Sequence, residues 1–101
     1  MIKAKKSLGQ NFLIDEKIIE KIVNTTKVNN QIILEIGPGT GNLTSSILKK
    51  NPKKLIVIEK DNELTINLKK KFNNQITIIN EDILKIDETK LFKEQVTVFG
   101  N

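Results

Sequence analysis

The sequence predicts an α/β fold: a mainly parallel sheet with helices on both faces, ending after about its fourth strand. Three observations carry this expectation. Short runs rich in β-branched residues alternate with amphipathic stretches of helical period. The strand-like runs are apolar at successive positions, as strands buried on both faces must be. A Gly-Pro-Gly-Thr-Gly turn joins the first such run to the next helical stretch. Strands alternating with helices imply right-handed crossovers and parallel pairing.

The elements follow in order. Ile14, Ile18, Ile19, Ile22 and Val23 recur at helical spacing, with Asp15 and Glu16 in the first turn, so a helix is predicted from Asp15 to about Asn24. Asn29-Asn30 breaks it. Gln31 to Ile36 is the first strand, and Gly37 to Gly41 the tight turn after it. A second helix runs from Asn42 to Lys50, with Leu43, Ile47 and Leu48 on one side. Leu55 to Glu59 is the second strand. Asp61 is placed to cap a third helix, whose Leu64, Leu68 and Phe72 share one face as far as Phe72. Gln75 to Ile79 is the third strand, Asp87 or Glu88 to Lys93 a helical turn, and Val96 to Phe99 the fourth strand.

Length and composition narrow the chemistry. The 101 residues make about one small domain, with neither repeats nor a low-complexity linker. No Cys and no His occur, which removes disulfides, thiolate nucleophiles, Cys/His zinc sites and imidazole bases. No run approaches the roughly 18 apolar residues of a membrane span. The basic start, Met1 to Lys6, has no apolar run after it, so no secretory signal is expected. The net charge of +5 comes from 17 lysines against 12 acids, with no arginine. Heavy use of Ile, Asn and Lys fits an AT-rich coding sequence; attraction to a polyanion such as RNA is the functional alternative.

In open parallel sheets, ligands lie outside the carboxyl ends of the strands. Three of the four ends carry acids: Glu35 before the glycine turn, Glu59, and Glu81-Asp82. Glycines in the turn allow positive φ and close backbone approach. The dinucleotide fingerprint fails, because Asn42 stands where its third glycine belongs, and no Gly-Lys-Ser/Thr follows. Glu35 is expected to repel a phosphate and to suit a cationic ligand. Glu59 is placed to accept from two ribose hydroxyls. Asp82 can accept from an exocyclic amine, or simply cap Ile83-Leu84. Together these describe a site for S-adenosylmethionine, a cation without phosphate.

These residues carry a family likeness. Glu35-Ile36-Gly37-Pro38-Gly39-Thr40-Gly41 resembles the first motif of class I S-adenosylmethionine-dependent methyltransferases, which have a Rossmann-like fold. Gly9-Gln10-Asn11-Phe12-Leu13, the same turn followed by Asn42-Leu43-Thr44, and Val98-Phe99-Gly100-Asn101 resemble the ribosomal RNA adenine N6,N6-dimethyltransferases. The likeness runs from about Lys5 to Asn101.

The resemblance implies roles for individual positions. Asn11 and Leu13 would fold over the methionine end of the cofactor, Gly37 would lie against it through its backbone with Gly39 supporting the turn, Glu59 would hold the ribose, and Asp82 would face the adenine amino group with Ile83 against the ring. Asn101 would open the catalytic Asn-Leu-Pro-Tyr motif and hold the target amino group; its Leu, Pro and Tyr do not follow here. Lys3, Lys5 and Lys6 would contact RNA. The resemblance further implies a cytoplasmic monomer acting on small-subunit ribosomal RNA in the pre-30S particle, with no membrane and no metal. Residues 1–101 would be the cofactor-binding part of a methyltransferase domain, lacking the rest of the sheet and a C-terminal helical domain, and inactive alone. Two alternatives stand beside this: a large-subunit RNA adenine methylase conferring antibiotic resistance, and a non-catalytic module binding cofactor or RNA. A nicotinamide-binding module is the weaker third.

Overall fold

Four short parallel strands form one sheet in the order β3-β2-β1-β4. The computed structural model describes residues 16–86 and 97–100. Helix α1 spans Glu16–Asn24, β1 Ile32–Ile36, α2 Asn42–Leu48, β2 Lys54–Ile58, α3 Asn62–Phe72, β3 Thr77–Ile79 and β4 Thr97–Gly100. The chain steps outward from β1 to β2 to β3, and β4 then returns to the other side of β1. That reversal places the topological switch, where such sheets open a ligand crevice, between β1 and β4.

Register fixes which side chains meet. Glu35 stands opposite Val57 on one side and Phe99 on the other, and Val57 opposite Ile78. Period-2 alternation puts this row, with Ile33, on one face and Leu34 and Ile58 on the other. The first face belongs to the main core, where Ile33, Val57 and Phe99 pack with Leu43 and Ile47 of α2 and Leu68 and Phe72 of α3. Val23 of α1, Val28, Leu55 and Ile76 belong to it as well. Each such burial stabilises by about 1.5–3 kcal/mol relative to exposure. Leu34 and Ile58 are buried on the opposite face as well, as expected for strands covered on both sides.

The sequence-based elements recur with shifted ends. Helix α2 stops at Leu48 rather than Lys50, with the Lys49 N–H on the Ser45 carbonyl. Residues Asn73–Gln75 form a 3₁₀ turn, so β3 is shorter than expected; Asn73 takes φ 51° and stops the helix. Asp61 caps α3 as expected, its Oδ1 accepting from Leu64 N at 2.9 Å. Asp15 and the helical turn expected at residues 87–93 lie outside the described residues.

Candidate functional site

The site grows from three strand ends. After β1 the chain must turn sharply from sheet to helix, and Gly37, Gly39 and Gly41 all adopt left-handed backbone, φ 66°, 59° and 91°. The two that matter most differ in reason. A Cβ on Gly41 would meet the Phe72 ring at 2.7 Å and Leu68 at 3.2 Å, so this glycine makes room for α3. A Cβ on Gly39 would meet nothing within 4 Å, so the turn is open there to a ligand. Lys71 Nζ holds the turn from outside, donating to the Thr40 carbonyl at 3.3 Å.

Glu59 ties the turn to the end of β2. It is 6% exposed. Its Oε1 accepts from Gly39 N at 3.3 Å and its Oε2 from Asp61 N at 3.0 Å. Each carboxylate oxygen has capacity for a further donor. The Glu59 N–H donates to Ile79 O, and Asn80 Nδ2 donates to the Glu59 carbonyl at 2.9 Å, so the end of β3 is fastened to the end of β2. Asp82 follows on that end, half-buried, with Oδ1 accepting from Leu84 N at 3.0 Å. The capping reading of Asp82 is therefore realised, and its second oxygen is the one that a ligand amine could use. Ile83 is half-buried and Leu84 is 89% exposed beside it.

Glu35 differs from what its place in the sequence implies. It was expected to present charge at the strand end; instead it is 1% exposed, in the sheet row between Val57 and Phe99 beneath the turn. Thr44 of α2, fully buried, donates its hydroxyl to Glu35 Oε1 at 2.5 Å. Oε2 has no hydrogen-bond partner. Burial raises the Glu35 pKa to about 7; the Thr44 bond opposes this and the nearby Glu59 charge adds to it. At neutral pH, Glu35 is thus divided between its neutral and charged forms.

Of the expected site residues, the structure brings Gly37, Gly39, Glu59 and Asp82 to one rim. Asn11, Leu13, Asn101, Lys3, Lys5 and Lys6 lie outside the described residues. Gly100, which precedes Asn101, is in register with Ile36, directly before the turn. Thr44 and Asn80 were not anticipated. Thr44 could have been found by its place on the inward side of α2, next to Leu43 and one turn before Ile47; Asn80 carries no such signal. No group of acids that could hold a metal occurs among the described residues, and no described helix is long and apolar enough to cross a membrane.

Known proteins resemble this chain in sequence and in fold. The family model "Ribosomal RNA adenine dimethylase" matches residues 1–101. A relative from Pelagibacter ubique, named ribosomal RNA small subunit methyltransferase A, is 60% identical over 99% of this chain. This chain spans 38% of that relative's length. Among solved structures, the 23S rRNA methyltransferase ErmE superposes with TM-score 0.74 at 27% identity, over 85% of this chain and 35% of that one. A dimethyladenosine transferase from Plasmodium falciparum gives 0.71 at 31% identity, over 84% and 31%.

Proposed function

The chain belongs to the ribosomal RNA adenine dimethylase family, and on that premise we propose that it is the cofactor-holding part of an enzyme that dimethylates N6 of adenines in small-subunit (16S) ribosomal RNA during ribosome biogenesis. The 60% identity to a small-subunit methyltransferase favours this over the large-subunit reaction, to which the likeness is 27%.

The observation that carries the reading is Glu59, a nearly buried carboxylate that bridges the glycine turn and Asp61, the cap of α3, at the strand ends. The residues fit S-adenosylmethionine. The turn is open at Gly39, the rim acids suit a sulfonium and an ammonium, and Glu35 Oε2 is buried without a partner close by. Gly37 and Gly39 would cradle the cofactor, with Asn11 and Leu13 over its methionine end. Glu59 would take the ribose hydroxyls, Asp82 the adenine amine, and Ile83 the ring.

When bound, the cofactor supplies a methyl group already activated by positive sulfur. The work left to the protein is alignment and polarisation. Asn101 would hold the target amino group in line, one residue past the Gly100 that pairs with Ile36, and the target base would be turned out of its stack to reach it. Residues 1–101 would act here with further sheet and RNA-binding structure, in the cytoplasm, on ribosomal RNA in the pre-30S particle, with Lys3, Lys5 and Lys6 on the backbone.

Calorimetric titration with S-adenosylmethionine and with a nicotinamide dinucleotide tests the site. Binding of the first alone is expected; binding of the second alone overturns the reading. Primer extension on both ribosomal RNAs after treatment with the complete enzyme separates small- from large-subunit targets.

A further inference from the structure

At the sheet edge opposite the rim stands a set of cations that the site does not use. Lys49 and Lys50 follow α2, Lys53 and Lys54 lead into β2, Lys27 lies in the turn before β1, and all five are exposed. Two backbone bonds make these turns one surface: Asn30 N donates to Asn51 O at 2.9 Å, and Lys53 N to Gln31 O at 2.8 Å. Asn30 and Asn51 both take left-handed backbone, φ 58° and 56°, which asparagine tolerates better than most residues. The lysines therefore project from a short, hydrogen-bonded frame.

Their grouping exceeds what composition dictates. No acid occurs between Lys21 and Leu34 or between Ile36 and Ile58. Glu59, Asp61, Glu63, Glu81 and Asp82 collect instead around the opposite ends of the strands. Like charges grouped in turns that hold no acid attract a polyanion.

Two features choose the polyanion. Membrane-surface sites set basic residues beside exposed apolar ones, yet among the described residues the exposed large apolar side chains, Ile18, Ile66 and Leu84, lie outside these two turns. The chain also has no arginine, so its cations contact phosphate as point charges and carry no forked reading of base edges.

We propose that this edge docks the phosphate backbone of an RNA segment remote from the base presented at the rim. The inference rests on the ribosomal RNA reading above. A five-residue strand separates rim from edge by about 17 Å, so a phosphate backbone at the edge belongs to a different stretch of the RNA from the base presented at the rim. Contact is sequence-independent and salt-sensitive.

The test compares the full chain with its Lys49→Gln/Lys50→Gln/Lys53→Gln/Lys54→Gln variant. Binding to a fluorescent mixed-sequence RNA duplex is followed from about 50 to 200 mM salt. The variant is expected to lose tenfold or more in affinity at the low end. Its plot of log affinity against log salt should flatten by about 3, near one unit per phosphate contact. The matching Lys→Arg variant should keep both affinity and slope. Unchanged affinity and slope in the Gln variant overturn the proposal, as does lysine-dependent binding to phosphatidylglycerol vesicles with no effect on RNA. Titration with S-adenosylmethionine separates the two claims: equal donor affinity in chain and variant shows an intact rim, whereas failure of the unsubstituted chain to bind the donor counts against the proposed function.

Discussion

At one end of the parallel sheet, Glu59, Asp61, Glu63, Glu81 and Asp82 outnumber Lys60, Lys71 and Lys85; at the other, the two turns that carry Lys27, Lys49, Lys50, Lys53 and Lys54 hold no acid of their own. The ends differ in construction as well as in sign. The rim is held by side chains that reach between elements: Glu59 to Gly39 and Asp61, Asn80 to Glu59, Thr44 to Glu35. The lysine edge is held by backbone bonds between two asparagine turns, and its five lysines are exposed. Substitutions at the rim should therefore alter folding and ligand together, and substitutions at the edge should alter long-range attraction alone.

The sharpest way to break this contrast is at Gly41. Gly41→Val places a β-branched residue at φ 91° and drives a methyl into the Phe72 ring. A loss of about 3–5 kcal/mol in unfolding free energy is expected, from backbone strain plus overpacking, measured by urea denaturation. Next comes pH. The folded state holds a proton on Glu35 up to about pH 7, whereas the unfolded chain releases it near 4.5. Between those values the folded state binds more protons, so stability falls as pH rises, by about 3 kcal/mol across the window. Denaturation midpoints at successive pH values should show this slope. Glu35→Gln, which keeps an acceptor for Thr44, should flatten it.

Smaller effects divide the rim from the edge. Glu59→Ala should weaken S-adenosylmethionine binding by about 1–3 kcal/mol while the salt slope of RNA binding stays unchanged; a change in that slope would mean that the two ends are not independent. Asp61→Ala removes the α3 cap and should cost about 1 kcal/mol of stability, with the lysine edge again unaffected.

How much of this could be read from the chain depends on how local each cause is. The four strands, the glycine turn and the Asp61 cap follow from patterns within a few residues, and the structure has them. The placing of Glu59 and Asp82 at neighbouring strand ends was legible too, because β2 and β3 run parallel side by side. Glu35 was misplaced because its burial depends on having Val57 and Phe99 beside it, from strands 22 and 64 positions away in the chain. The lysine edge was missed for a similar reason. The basic tail at Lys3, Lys5 and Lys6 is contiguous and visible, whereas Lys27 joins Lys53 only through the bonds of Asn30 and Gln31. Asn73 shortened β3 by a choice of φ that the residue permits without requiring.

The carboxylate of Glu59 grips two amides that belong to different connections, Gly39 through one oxygen and Asp61 through the other. A rotation of that single side chain loosens both at once. The amide protons of Gly39 and Asp61 should therefore exchange with solvent in step, slowing together when the donor settles and quickening together when it leaves, so that either one serves as a gauge of occupancy for the whole rim.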